Sequence, residues 1–469
     1  LVTAEASPIE LLFEPLVLER AGHPISRRDI DSNVLQVLYR LINGGHVAYL
    51  VGGGVRDLML SCQPKDFDVA TSAHPQQIRA LFRNSRLIGR RFRLVHVFFG
   101  PANIEVATFR RRAGDDDVDD VLIRHDNTFG TPEEDAFRRD FTVNALFYDP
   151  RTFRVLDYTG GVRDLSERLI RTIGEPELRM REDPVRMIRA VRLAAKLNFE
   201  IEADTARAIE RCAGDLIKAS VPRLVEEIYR TLTLANSARA LLLMERLGLL
   251  DAALPMLSCH LKQYRHGLEA APTLRVMRAL GEAIGAGFEP PRGFLLACLF
   301  ADLHLARGAE SASVHSLPLC HTLRARGFSR GDTEHLRLLL EALNHMLKPS
   351  RITRRLARRP YFPHARQLFE LIAPIFSVDP AELDRFLTAS PEHHRAHRNQ
   401  HSARTIGDTS PTRRRRRRRG RRGGRGHNRR LQGTGGLDSE TPKAEIHAGG
   451  LAPEASVQAP PAVDKTRDG

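Results

Sequence analysis

Leu50-Val-Gly-Gly-Gly-Val-Arg-Asp57, followed nine residues later by Asp66-Phe-Asp68, decides the reading of this sequence. The apolar run at residues 46–51 predicts a strand. Three glycines break it, residues 55–60 have helical character, and Asp66-Phe-Asp-Val-Ala70 predicts a second strand. Side chains i and i+2 share a face of a strand, so Asp66 and Asp68 are expected to project together, with Phe67 turned into a core. Two carboxylates beside a Gly-rich turn that opens a helix suit a hard cation carrying a triphosphate. The acid oxygens hold the ion, and free backbone N–H groups hold phosphate. Asp-x-Asp alone describes any solvated strand end, and Gly-Gly-Gly alone any tight turn. The ordered set points to a nucleotide site. A P-loop is disfavoured because no Gly-x-x-x-x-Gly-Lys-Ser/Thr follows the strand, and Gly52, Gly53 and Gly54 lack the spacing of a dinucleotide fingerprint.

Phosphoryl chemistry of this kind is mostly positioning and charge stabilisation, and two aspartates leave a two-metal site short of ligands. Two residues compete for the third place. Glu105 lies early in the strand-like Ile104-Glu-Val-Ala-Thr-Phe109, between apolar neighbours. Asp140 lies in Glu133-Glu-Asp-Ala-Phe-Arg-Arg-Asp-Phe-Thr-Val-Asn-Ala145. Such a charged run is ordinarily a solvated helix face with i,i+4 pairs. Here Phe141, Val143 and Ala145 alternate with Thr142 and Asn144, which predicts entry into the sheet, and Arg138 and Arg139 suit a triphosphate.

The remaining chain places this site in context. Its 469 residues suggest two or three domains. Trp is absent and aromatic residues are only 6%, so no stacking platform for bases stands out. Five scattered cysteines without a Cys-x-x-Cys pair argue against a disulfide framework and for a reducing cytoplasm. No signal-like segment and no apolar run of about 18 residues are seen, so a soluble protein away from membranes is expected. Of the net charge of +15, residues 401–469 supply most, with 16 Lys and Arg against 7 Asp and Glu.

Residues 1–28 lack periodicity and are expected to be flexible. Apolar spacing over residues 29–43 predicts a helix capped by Asp31 or Ser32 and stopped by Gly44-Gly45. Residues 94–99 and 104–109 predict a hairpin across Gly100-Pro-Ala-Asn103, and residues 145–148 and 155–158 a second strand pair. Beyond residue 161 the texture turns helical to about residue 390. Residues 399–469 hold almost no large apolar side chains and are expected to be disordered. The acidic Asp115-Asp-Asp-Val-Asp-Asp120 reads as a mobile loop.

Gly52-Gly-Gly-Val-Arg-Asp57, Lys65-Asp-Phe-Asp-Val-Ala-Thr71, Glu105-Val-Ala-Thr-Phe-Arg110, Glu134-Asp-Ala-Phe-Arg-Arg-Asp-Phe-Thr-Val-Asn144 and Arg181-Glu-Asp-Pro-Val-Arg-Met-Ile-Arg-Ala-Val-Arg192 resemble the class II nucleotidyltransferases. That family contains CCA-adding enzymes and bacterial poly(A) polymerases, and the likeness runs in order over residues 46–235. Ile88-Gly-Arg-Arg-Phe-Arg-Leu-Val-His-Val-Phe-Phe-Gly100 resembles the segment marking the polymerase branch, as does the Arg-rich tail, and no His-Asp phosphohydrolase motif is seen.

The resemblance implies an α+β fold. A nucleotidyltransferase head with a small mixed β-sheet flanked by helices (29–160) would precede an all-α neck (161–235) and body (236–398), then the basic tail (399–469). It makes Asp66 and Asp68 ligands of Mg²⁺ in a two-metal site, with Mn²⁺ as a substitute, and Asp140 or Glu105 the further catalytic acid. It makes Gly52, Gly53, Arg56, Arg138, Arg139, Asn144 and Arg189 nucleotide-binding, and Asp183 with Arg186 the pair that reads the base edge. An Asp acceptor and an Arg donor can pair with such an edge. Without the resemblance Asp183 reads as a helix N-cap before Pro184 at the first helical position. Gly54 departs from a family position that often holds Cys or Ala.

The implied activity is template-independent addition of AMP from ATP to RNA 3′ ends by a cytoplasmic monomer, with RNA-decay proteins as partners. The alternatives are a CCA-adding tRNA nucleotidyltransferase and an inactive RNA-binding relative. In the tail, Arg413, Arg414, Arg415, Arg416, Arg417, Arg418 and Arg419 form a polyelectrolyte run suited to RNA phosphates, with affinity that falls steeply with salt.

Overall fold

A mixed sheet of eight strands organises the N-terminal part of the chain: β1 (Leu16–Leu18), β2 (Ala48–Val51), β3 (Asp68–Thr71), β4 (Ser85–Ile88), β5 (Leu94–Phe99), β6 (Ala102–Thr108), β7 (Leu146–Asp149) and β8 (Arg154–Asp157). Their order across the sheet is β1-β8-β7-β2-β3-β6-β5-β4. Neighbours run antiparallel, apart from the parallel pair β3 and β6. The computed structural model describes residues 14–89, 94–100, 102–111, 129–264, 267–306 and 312–389. Arg90-Arg-Phe-Arg93, the acidic stretch 115–120, the tail 399–469 and its Arg413–Arg419 run lie outside the described residues.

The strand period of two sorts the sheet's side chains into two layers. Leu50, Val69, Val106 and Tyr148 join the main core, whereas Val51, Ala70 and Phe147 join Phe109, Ala136, Ala145 and Ile173 in a smaller core on the opposite face. The central strands are therefore covered on both sides, and β7 is buried along its whole length.

Helix α1 (Ser32–Asn43) shows how local sequence sets an element. The Asp31 carboxylate accepts the Asn33 N–H at 2.7 Å, and Gly44 ends the helix by donating its N–H to Arg40. Val34, Val37, Leu38 and Leu41 recur at helical spacing and are buried, each contributing roughly 1.5–3 kcal/mol. Next come α2 (Gly53–Met59), α3 (Pro75–Leu81), α4 (Pro132–Phe137), α5 (Gly161–Glu167), α6 (Pro176–Glu182), α7 (Val185–Leu197), α8 (Ala203–Cys212) and α9 (Val221–Leu232). Further helices follow through Pro380–Thr388. Among the described residues no helix is long and apolar enough to cross a membrane.

The structure departs from the sequence expectations at three places. Residues 16–18, expected to be flexible, form an edge strand against β8; the strand is too short to show a period. Strand β3 begins at Asp68, so Asp66 sits in the loop before it. Residues 142–144 form a 3₁₀ turn where an entering strand was expected, and β7 starts only at Leu146. The Asn144 side chain explains the turn: it accepts from Arg56 and donates to Asp140, which bends the backbone away from the sheet.

Candidate active site

The parallel pairing of β3 with β6 sets Asp68 in register with Glu105. Both face a cleft of about 930 Å³, whose wall also carries Asp66, Lys65, Arg28 and Arg230. Phe67 is half-buried against the core and lies beneath Gly54, as the alternation predicts. Asp68 remains open to solvent on its cleft side. The protein packed behind it pushes its carboxyl above the usual range, and Glu105 and Asp66 add to the rise against the opposing charge of Arg139. The cluster is thus short of positive charge, which a hard dication would supply. Among the described residues no three His, Cys, Asp or Glu side chains close a metal site by themselves. His96, opposite Glu105 on β5, reaches the Glu105 carboxylate at 3.4 Å.

Gly52 lies at the start of α2 with φ +73° and ψ −138°. A Cβ there would stand 3.1 Å from Arg139 Nη1 and 3.7 Å from Asp68 Oδ2. The glycine therefore keeps open the gap between a guanidinium and a candidate metal ligand. Gly53 and Gly54 take up the helix itself, and Gly54 packs over the Asp66 carbonyl.

A layer of arginines surrounds the turn, and buried acids fix each one. Arg56 is buried, forks onto Asp57 and donates to Asn144. Asp135 on α4 accepts from Arg138 Nε at 3.0 Å and from Arg139 Nη2 at 2.8 Å. Burial pushes the Asp135 carboxyl up, but the charges and hydrogen bonds of Arg139 and Arg138 outweigh it and hold the group below the usual range. Arg139 also donates to the Asn144 carbonyl and lies over the Phe147 ring.

Asp140 stands in a different place from the carboxylate cleft. It lines a small crevice with Arg56, Asn144, Arg189, Arg192 and Lys196. Arg189 Nη2 approaches it at 2.6 Å, and Asn144 and the Phe141 N–H donate to it. Burial raises its carboxyl, yet Arg189 and these donors together bring it below the usual range. The acid brought beside Asp66 and Asp68 is therefore Glu105, and Asp140 is committed to Arg189.

Asp183 and Arg186 flank the junction of α6 and α7. Asp183 makes no side-chain cap, because α7 opens at Val185 after Pro184. Both its oxygens accept from Arg223 of α9, at 3.1 and 2.6 Å. Arg186 Nη1 donates to the Arg179 carbonyl at 2.7 Å and to Glu182 at 3.2 Å. Sequence reasoning missed Asp57, Asp135, His96, Arg179 and Arg223. Local traces existed for three of them: Asp135 in its i,i+3 and i,i+4 spacing to Arg138 and Arg139, Asp57 in its place beside Arg56, and Arg179 in its i,i+3 spacing to Glu182.

A mixed sheet with acids at the edge of one cleft, a Gly-turn helix beside them and a helical segment behind is the architecture of a nucleotidyltransferase. Comparison with known proteins agrees. Residues 48–171 match the family model of the poly A polymerase head domain, and residues 198–261 the model described as the probable RNA and SrmB-binding site of polymerase A. Over 228 residues the chain is 54% identical to poly(A) polymerase I of Salmonella typhi, covering 47% of this chain and 49% of the relative. Over 232 residues it is 40% identical to the CCA-adding enzyme of Geobacillus stearothermophilus, covering 49% and 56%. The solved CCA-adding enzyme of Bacillus stearothermophilus in complex with CTP superposes with a TM-score of 0.55 at 27% identity, over 79% of this chain and 82% of that one. Over residues 48–261 the chain is thus similar to the bacterial poly(A) polymerases and CCA-adding enzymes. It spans about half the length of the curated relatives it matches.

Proposed function

We propose that this protein is a template-independent adenylyltransferase that adds AMP from ATP to RNA 3′ ends. The observation that carries the reading is the register of Asp68 with Glu105 at a cleft that also holds Asp66. The polymerase branch is favoured over the CCA-adding branch by 54% against 40% identity over stretches of similar length.

In this reading Asp66 and Asp68 hold Mg²⁺. When bound, the ion supplies charge stabilisation for the attacking and leaving oxygens, in a one- or two-metal arrangement. Glu105 adds the third negative charge facing the ion. The turn at Gly52 and Gly53 lets backbone N–H groups approach the triphosphate, with Arg139 beside them. Arg56, Arg138, Asn144 and Arg189 complete the cationic and polar lining on the nucleotide side. Asp183 and Arg186 offer an acceptor and a donor to the base edge. RNA 3′ ends are the second substrate, and the Arg413–Arg419 run tethers RNA through its phosphates. The reading also takes the protein as a cytoplasmic monomer that meets RNA-decay proteins.

Asp68→Ala tests it. The variant should fold, judged by a cooperative thermal melt, and lose at least about a thousandfold in AMP incorporation into RNA. Incorporation near the wild-type rate would overturn the assignment of the carboxylate cleft.

A further inference from the structure

Arg179 lies on α6, buried to 3% exposure, away from the carboxylate cleft. Its guanidinium reaches in two directions. Nη2 donates to the carbonyls of Arg138 and Arg139, at 2.8 and 2.6 Å. Nη1 donates to Glu182 Oε2 at 2.8 Å. The same Glu182 oxygen accepts from Arg186 at 3.2 Å, and the Arg179 carbonyl accepts from Arg186 at 2.7 Å. One buried fork therefore ties the backbone of the triphosphate-side arginines to the anchor of the base-side arginine.

The link is built from parts that only arginine supplies. A planar guanidinium presents several N–H groups in a fixed fork, whereas a lysine ammonium is a single point donor. Two carbonyls and a carboxylate at short distances match that fork. The carbonyls belong to the segment whose side chains bond Asp135 and flank Gly52. A shift of this segment would move Arg139 relative to Asp68, while a shift of Glu182 would turn Arg186 away from its present direction.

We propose that Arg179 is a positioning residue for nucleotide selection: it holds the base-reading Arg186 and the triphosphate-side Arg138–Arg139 segment in one register. This rests on the reading of Asp183 and Arg186 as the base-edge pair and of Arg139 as a triphosphate contact. A base is read well only when the triphosphate is held at a fixed distance from the reading pair, and Arg179 sets that distance through the backbone. Neither base nor phosphate touches it.

The test compares Arg179→Met, Arg179→Lys, Glu182→Gln and Asp183→Asn in the full chain, with kcat and KM measured for ATP and for CTP on the same RNA primer. Arg179→Met keeps the apolar stem and removes the fork. It should raise the KM for ATP and lower the ATP-over-CTP ratio of kcat/KM, each by about tenfold or more. Arg179→Lys should restore the melting temperature without restoring the ratio. A purely structural role would lower the active fraction, and so kcat, and leave KM and the ratio where they were. If Arg179→Met does not fold, Glu182→Gln decides, since it keeps the shape and weakens the same link; a wild-type ratio there overturns the proposal. A ratio moved by Asp183→Asn but by neither Arg179→Met nor Glu182→Gln overturns the role of Arg179 alone. A ratio moved by none of them overturns the base-edge reading with it.

Discussion

Gly52 carries more of the site than its size suggests. Its φ of +73° is a conformation that a β-carbon disfavours, and the space where that carbon would go lies between Arg139 and Asp68. Gly52→Ala should cost about 1 kcal/mol in stability for the backbone alone. It should lower kcat/KM for ATP by about tenfold or more, because Arg139 must move to clear the new methyl group. Unchanged kinetics in a destabilised but folded variant would show that the gap has no part in nucleotide binding. The grouping of Asp66, Asp68 and Glu105 was readable because Asp68 and Glu105 stand beside strand-forming apolar residues and Asp66 lies two residues before Asp68. Asp140 read as well as Glu105 in sequence; only the position of Arg189 on α7 reveals that its charge is already used. Arg223 left no sequence signal because its partner Asp183 lies 40 residues away along the chain, and Arg179 showed only its i,i+3 spacing to Glu182, since the two carbonyls it holds lie 41 and 40 residues away.

At the scale of elements, α4 is a short helix whose hydrogen-bonding acid, Asp135, is sealed beneath the arginines it orients. The folded state lowers the pKa of Asp135, so the unfolded chain takes up its proton at higher pH. Its stabilising contribution is then fully present above the unfolded value of about 4 and is lost as pH falls through the folded value. Asp135→Asn should therefore destabilise the protein at neutral pH, on the order of 3 kcal/mol, since two arginines lose their shared buried counter-charge. Chemical denaturation from pH 7 to pH 3 checks this: the gap between wild type and variant should shrink toward the acid end, and a gap that stays constant would count against the ion-pair account. Helix α1 and the β5–β6 hairpin were legible because cap, period and turn agree locally. The turn at Thr142–Asn144 was not, because the alternation of Phe141, Val143 and Ala145 describes burial alone, while the bend follows from the Asn144 bonds to Arg56 and Asp140.

Over the whole molecule, one main core runs from the sheet through α7 and α9 into the later helices, among them Arg292–Ala306 and Arg330–Leu347. The order of mixed segment then helical segment was visible in the change of texture near residue 161. How those segments share a core was not, since side-chain contacts across hundreds of residues leave no period to read. The same core carries α7 to the sheet segment, so that Arg189 meets Asp140 and Lys196 meets Asp57, and sets α9 against the α6–α7 junction, where Arg223 meets Asp183. In the proposed reading nucleotide choice belongs to the sheet segment together with α6, α7 and α9, because the carboxylate cleft would hold metal and phosphate and not the base. The most direct measurement offers the purified full chain ATP and CTP, each with a generic RNA and with a tRNA lacking its 3′ end. The account predicts long A-tails on the generic RNA and poor use of CTP on either substrate. Efficient CTP addition confined to the truncated tRNA, with no extension of generic RNA by ATP, would contradict it.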